Sequence, residues 1–506
     1  MKTMKSKILY AAVLTATLLG SCTKLDEETF ASIKPSDYYK TEAEALSSVA
    51  ALYSAMVNFA NVAAPWTISE IGTDEFVVPG RASGGWYDQN NIDIMLHKPD
   101  ANNQQVLNSW NNIFTSGIGA ANGLLENLNN SSAAANLKGP IAEAKALRAY
   151  FYFYALDFWG NVPISTAPKL DKTNLPATSP RADVFKFVES EMLAAANDLP
   201  SVTTVTKTAY YPRLTKETVY MALATLYLNA EVYTGTQRWA DAIAMCDKIM
   251  ATGAYALEAN VVDCFKATNK GNTKEVIMAM SMDPARSAGG NPFILYTQPN
   301  LDQLRYNLPF APANGFSTLQ EALDRYEDRD NRKKLIQYGP QFYADGRPLV
   351  DSKGVQLNLV QVKSFNAALD NEGYRVLKYV PEGVTWSGAN GNNDLVLTRY
   401  ADVLLTKAEA LFRSGNTAGA LPLINQVRVR SSATPLTALS LKDIENERGR
   451  EFIWEGHRRR DMIRFGDYFT GTWTFKTTND PTTRGLYPIP NVQLATNPQL
   501  KQNTGY

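Results

Sequence analysis

Apolar residues recur at helical spacing through most of the chain and predict a mostly α protein. Asn103 to Asn130 places Val106, Leu107, Trp110, Ile113 and Phe114 on one face. Further helices are predicted at Asp37–Asn58, Pro140–Trp159, Arg181–Asn197, from an N-cap at Thr215 to about Tyr233, and at Trp239–Met250. The aromatic run Tyr150–Tyr154 suggests a helix buried on several sides. Trp239, Ala242, Ile243, Cys246 and Ile249 mark one face of the helix that follows the Gly235 turn. Ala408, Leu411, Ala420 and Ile424 form a ladder of small and bulky residues around a turn at Gly415-Asn416, the mark of a tetratricopeptide-type helix pair. Ala224 and Tyr227 begin a similar pair, and Ser440 with Asp443, in capping-box spacing, opens a last long helix to Arg464. Between these blocks lie irregular stretches at 60–101, 252–317 and 336–398, rich in Gly, Asn, Pro and aromatics. Loops of that length in a compact protein are commonly functional.

The first residues follow another pattern. Lys2, Lys5 and Lys7 precede the uncharged run Ile8–Leu19, which ends in Leu19-Gly20-Ser21-Cys22. This reads as a signal peptide over 1–21 with Cys22 as the lipid-bearing first mature residue. The run is too short to cross a bilayer, so the mature protein is expected to be anchored, not spanning. An ordinary secretory signal that contains a cysteine is the alternative. Residues 22–36 read as lipid anchor and tether, with Asp26, Glu27 and Glu28 close behind the cysteine.

Charge narrows the function. Removal of the leader takes three lysines from a balance of 50 basic and 50 acidic residues, leaving −3. No long basic run is present, so nucleic acid is not an expected partner. Only His97 and His457 are available, which excludes a histidine-rich metal site and disfavours a Ser-His-Asp triad. No cofactor or metal is expected. Cys246 and Cys264 remain open between a disulfide and two separately buried thiols.

Several segments together resemble the SusD/RagB family. They are Thr73-Asp74-Glu75, Leu147-Arg148-Ala149 before Phe158-Trp159-Gly160-Asn161-Val162-Pro163, and Thr398-Arg399-Tyr400-Ala401-Asp402-Val403-Leu404-Leu405 running into Ala408-Glu409-Ala410. Glu447-Arg448-Gly449-Arg450-Glu451-Phe452, its continuation from Glu455 to Gly466, and the closing Leu486-Tyr487-Pro488-Ile489-Pro490 complete the likeness. The resemblance implies a SusD-like scaffold of tetratricopeptide-type helix pairs with a loop-rich second lobe. It implies a single body over 37–506, with helical repeats at about 37–59, 103–251 and 399–465 and a ligand lobe at about 60–101 and 252–398. It further implies a lipid-anchored outer-membrane protein facing the cell exterior. Such a protein is not an enzyme: it captures glycans, starch-like ones included, for a TonB-dependent transporter of the SusC type. Peptide capture within the family and, in another class, a glycoside hydrolase are the competing readings. A hydrolase needs two carboxylates flanking a cleft, and the loop acids available are Asp74, Glu75 and Asp88.

Sugar rings stack on aromatic faces while their hydroxyls seek amides, carboxylates and guanidinium groups. The loop from Asp74 to Asn90 supplies both, with Arg81, Gly84-Gly85, Trp86, Tyr87, Gln89 and Asn90. The resemblance gives Trp86 the part of a ligand-stacking tryptophan and places Gln89, next to Asn90, where relatives carry an asparagine. It also points to Phe316 after Asn314-Gly315, and to Tyr296 after Gly289-Gly290. Trp386, in a Gly/Asn-rich loop, is an outsider. For each aromatic the alternative is a loop held by hydrophobic packing. Glu447, Arg448, Glu455, His457 and Arg458 read better as a charge network pinning the last helix than as a catalytic cluster. Asp324–Asp330 reads as a solvated helix face, since it lacks the spaced oxygens of a calcium loop.

Overall fold

A computed structural model describes residues 39–506, apart from 63, 84 and 285–288. The leader, Cys22 and the tether lie outside the described residues. The helices carry most of the structure: α1 (Glu42–Val57), α2 (Gln104–Asn111), α3 (Ala120–Asn129), α4 (Lys138–Phe158), α5 (Arg181–Asp198), α6 (Lys216–Leu228), α7 (Trp239–Met250), α8 (Tyr400–Arg413), α9 (Thr417–Arg430), α10 (Leu441–Phe452) and α11 (Arg458–Phe465). Local chemistry sets their starts. Thr41 and Glu44 close a capping box on α1, as Ser440 and Asp443 do on α10. Asn103 accepts from Gln105 and Val106 at the head of α2.

The helices pack as pairs, α4 on α5, α6 on α7 and α8 on α9, and α7 also packs on α8 to join the middle and C-terminal arrays. Ala408, Ala420 and Ile424 of the predicted ladder are fully buried between α8 and α9. One large hydrophobic cluster runs through the body, and a smaller one fills the α8–α9–α10 junction. No described helix is long and apolar enough to cross a membrane.

Three expectations are corrected. The helix from Asn103 to Asn130 passes through a π-helical stretch, Asn112–Gly119. Gly117 in that stretch lies against Phe151, so close that a Cβ would sit 2.4 Å from the ring. The run from Thr215 to Tyr233 breaks at Asn229, with a short helix at Ala230–Thr234. The last helix, expected unbroken from Ser440 to Arg464, is two, because Trp454 (φ 62°) and Gly456 (φ 77°) take the left-handed conformation between α10 and α11. The break turns Trp454 onto Phe76, Phe293 and Phe316 and lets the Gly456 amide donate to Glu70.

The long stretches read as irregular hold short ordered elements. β1 (Val276–Met280) pairs antiparallel with β2 (Leu395–Arg399), with Leu395 opposite Met280. Both strands are buried throughout, so they lack the alternation that betrays a half-exposed strand. The other strands among the described residues pair as two-stranded ribbons, with isolated bridges between loops. Cys246 and Cys264 are buried free thiols.

Candidate functional site

The loop after Thr73-Asp74-Glu75 is tied to the segment 365–370 and to the head of α2. The Gly80 amide donates to the Phe365 carbonyl at 2.6 Å, and the Ala368 amide donates back to the Gly80 carbonyl at 2.8 Å. Tyr87 donates its hydroxyl to Asn366, and Ser83 reaches Asp370 at 2.6 Å. Asp88 caps the short helix Gln89–Met95 by accepting from the Asn91 amide at 2.8 Å. Gln89 and Asn90 are therefore the first turn of a helix: Gln89 donates to Asp93, and Asn90 accepts from the Gln104 amide.

Trp86 is half-buried. Its ring meets Tyr296 edge-on at 4.8 Å and Phe316 at 5.9 Å, and it covers Gly315, where a Cβ would stand 2.5 Å from the indole. Asn314-Gly315 is thus needed for close approach of the indole, not only for a turn. For the other two rings the packing alternative describes the structure. Phe316 has no exposed surface, and Tyr296 keeps 7%. They support the tryptophan from behind, and Trp86 alone of the three presents substantial surface. Trp386 packs edge-on against Phe310 at 5.1 Å on a separate hairpin.

Arg81 is not a free ligand-binding guanidinium. It donates to the carbonyl of Asn314 at 2.7 Å, to Ser317 Oγ at 2.7 Å and to the carbonyls of Gly315, Leu369 and Glu372. Arg375, fully buried beside it, donates to Asn314 Oδ1 and to the carbonyls of Glu372 and Tyr374. Neither forms an ion pair with another described residue. Burial pulls Arg81 down to about 10. Burial, then the neighbouring Arg81, pulls Arg375 well below the ordinary arginine range. Two guanidinium groups spent on carbonyls stitch segments 80–83, 314–317 and 369–375 together.

Beside this knot opens a cleft of about 430 Å³, lined among others by Ser83, Asn300, Asn314, Gln356, Asp370 and Asn371. The lining mixes amides and carboxylates with Leu301, Val355 and Leu357. Apart from Asn314, these polar residues were not singled out in the sequence. They come from four separate segments, and no local spacing connects them.

The charged motif residues form a different, closed system. Arg399 lies between Glu275 (2.6 Å), Glu455 (2.8 Å) and Glu451, all without exposed side-chain surface. Arg332 joins Asp330, Glu447 and Glu451, each at 2.7 Å, and Arg448 pairs with Asp461 at 2.7 Å. Arg458 grips Asp74 at 2.7 Å and Arg325 grips Glu75 at 2.6 Å, so two of the three acids nominated for hydrolysis hold the loop base. Asp88 is spent as a helix cap. Burial, then Arg460, drives the His457 imidazole down to about 3, so it stays neutral, stacked on Phe452 at 4.7 Å. His97 is held by Asp480 and the Gly72 carbonyl. The segment 324–330 is only partly the solvated face expected of it, because the Arg325 side chain, Tyr326 and Asp330 are buried in this network. No described group of three or more acids, histidines or cysteines is arranged to hold a metal ion.

A sequence profile described as "SusD family" matches residues 274–506, and one described as "Starch-binding associating with outer membrane" matches 32–228. The chain belongs to the SusD family. Starch-binding protein SusD of Bacteroides thetaiotaomicron is 27% identical over 414 residues, covering 72% of each chain. Among solved structures, a laminarin-binding SusD-like protein superposes with a TM-score of 0.74 at 22% identity, over 92% of this chain and 100% of its own. Surface glycan-binding protein A from Bacteroides thetaiotaomicron, in complex with laminarihexaose, gives 0.74 at 21%, over 91% and 99%. These structural likenesses establish the SusD fold for the body. The Arg399 and Arg458 side chains are buried in ion pairs of the scaffold, whereas Trp86 keeps part of its surface open.

Proposed function

We propose that this SusD-family protein captures an oligosaccharide or polysaccharide outside the cell, anchored through a lipidated Cys22, and passes it to a TonB-dependent transporter of the SusC type. The observation that carries the reading is the cleft whose lining combines Asn300, Asn314, Gln356 and Asp370 with Leu301 and Leu357, together with the half-buried Trp86 indole packed on Gly315, the residue after the cleft residue Asn314. Amides, a carboxylate and apolar side chains around one cavity, with an aromatic ring close by, are the combination a sugar ring requires. Relatives named for starch and laminarin binding support the ligand class. Arg81, Tyr87, Gln89, Asn90, Tyr296 and Phe316 then act by shaping and bracing this surface, with Trp86 as the contact. Binding without cleavage is the expected behaviour, since Asp74 and Glu75 are committed to Arg458 and Arg325 and face no cleft partner.

The test is affinity electrophoresis of the mature protein in gels containing starch, laminarin, xylan or mannan, with chromatography of the bound glycan. Retardation by at least one glycan, with no shortened product, is expected. Binding of peptides alone, or release of shortened product, overturns the reading. Cys22→Ala is expected to leave the membrane fraction and to lose co-purification with a barrel protein.

A further inference from the structure

A second cleft, of about 410 Å³, opens at the C-terminal end of the short helix Asp302–Tyr306. Its lining includes Arg305, Tyr306, Asn307, Phe342, Tyr343 and Glu382. We propose that it is a second glycan subsite, taking a neutral pyranose ring of the same chain that the Trp86 cleft holds. This rests on the glycan-binding reading of that first cleft.

Phe342 carries the argument. It is 44% exposed, and its ring makes no contact with another aromatic ring or a cation among the described residues. The short β-hairpin around Tyr343–Arg347, where Phe342 bridges Pro348, holds its backbone in place. An ordered, exposed, unpartnered phenyl ring beside a cavity is a stacking platform in search of a flat apolar face. It is not isolated. Of the large hydrophobic side chains left exposed, Leu304, Tyr338, Phe342, Val355 and Leu369 all fall in the segment that builds the two clefts.

The polar groups fit hydroxyls. Asn307 ends the helix at φ 50°, which turns it outward, and its side-chain amide has no partner among the described residues. Glu382, exposed on the opposite lip, has no ion pair or hydrogen bond among the described residues. The Tyr306 hydroxyl is 3.3 Å from Gln337 Nε2, and its ring lies beneath the Arg305 guanidinium at 5.2 Å. Arg305 is already engaged with Gln341 at 3.0 Å and lies 3.7 Å from Asp302. The unsatisfied groups are therefore one amide, one carboxylate and the Tyr343 hydroxyl. A carboxylate accepts from hydroxyls and repels anions, which favours a neutral sugar over a uronate or sulfated one.

The two clefts are one helix apart. Asn300 and Leu301 line the first, and Tyr306 and Asn307 line the second. At 1.5 Å of rise per helical residue, the five residues from Leu301 to Tyr306 separate them by roughly 8 Å along the helix. A chain of several sugar residues can occupy both, and the second contact then acts at high effective concentration. A disaccharide cannot span them. The signature of the second subsite is therefore a dependence on ligand length.

The experiment is titration calorimetry with laminarihexaose and maltohexaose, and with the corresponding disaccharides, on wild type, Phe342→Ala and the rim pair Asn307→Gly/Glu382→Gln. Glycine is chosen because residue 307 has a positive φ. A melting curve accompanies each variant. Phe342→Ala is expected to weaken hexasaccharide binding roughly fivefold or more, in line with the loss of an aromatic anchor, and to leave disaccharide binding unchanged. Phe342→Trp keeps the hexasaccharide affinity, and the rim pair weakens it without altering the melting curve. Hexasaccharide affinity unchanged in both Phe342→Ala and the rim pair overturns the second subsite while leaving the first cleft intact. A wild type that binds neither hexasaccharide and none of the gel-embedded polysaccharides overturns the glycan reading and the second subsite with it.

Discussion

Replacement of Arg399 by methionine tests whether the family-like charged residues hold the scaffold. The guanidinium is fully buried between Glu275, Glu451 and Glu455, and its central carbon lies over the Phe452 ring at 5.0 Å. Methionine conserves much of the volume but removes the charge. Glu275 and Glu451 keep Arg430, Glu451 keeps Arg332, and Glu455 keeps Lys378. One cation is lost from the centre of three buried carboxylates. Breaking a buried pair from one side costs about 3–5 kcal/mol. At an unfolding entropy of about 2.1 cal/mol/K per residue, a body of roughly 470 residues melting as one unit has about 1 kcal/mol/K, so the expected fall in Tm is roughly 3–5 °C. The deficit depends on pH. Burial raises the Glu455 carboxyl, but Arg399 and then Lys378 outweigh it and hold the group below its ordinary value. Arg430, Arg399 and Arg332 do the same for Glu451, more strongly. Carboxyls depressed in the folded state stabilise it fully above their unfolded values, and that contribution is lost as pH falls through the folded ones. Without Arg399 both groups rise, so the deficit is expected to be largest near pH 7.5 and to narrow towards pH 4.5. Differential scanning calorimetry at the two pH values reads this directly. Arg347→Met, which breaks an exposed pair with Asp345, serves as the control and is expected to change Tm by less than about 0.5 °C. An Arg399→Met protein that melts with wild type at pH 7.5, or whose deficit grows on acidification, refutes the reasoning.

Gly315→Ala puts a methyl group where the Trp86 indole lies, 2.5 Å from its nearest atom, and must displace the ring; glycan retardation is expected to fall as far as in Trp86→Ala, and an unchanged gel shift refutes the Trp86 contact. Asp302 is raised to about 6 by burial, only partly offset by Arg305, so its ionisation costs stability as pH rises from the ordinary carboxyl range through that value. Asp302→Asn is therefore expected to melt above wild type at pH 7.5 and level with it at pH 4, and a pH-independent difference counts against this. Cys246 and Cys264 are buried with thiols pushed far above their ordinary value by burial, so a thiol reagent is expected to label neither until the protein is unfolded; labelling of the native protein shows that the fold opens there.

Local patterning was sufficient for the helices. Trp239–Met250 begins and ends where the apolar period and the Gly235 turn place it, and the Ala408–Ile424 ladder packs as its small residues require. These features are legible because helix periodicity and capping are written within a few residues of each other. The family resemblance was legible for the same reason, in contiguous motifs such as Glu447–Phe452.

The tertiary structure decided what depends on distant partners. The break at Trp454–Gly456 has no proline to announce it. It exists because Glu455 turns to Arg399 and Lys378 while Trp454 fills the space beside Phe76. Strands β1 and β2 were hidden because they are buried on both faces and more than a hundred residues apart. The binding lobe shows the limit most clearly. An aromatic in a Gly-rich loop has the same sequence signature whether it faces solvent or the core. Trp86 and Phe316 were read alike, and contact with each other and with Tyr296 left one partly open and the other fully enclosed. Arg81 looked like a ligand donor until the carbonyls of two remote segments converged on it. Sequence period fixes which face of an element is apolar, but only the packed chain fixes which polar and aromatic groups remain unsatisfied, and ligands bind to those.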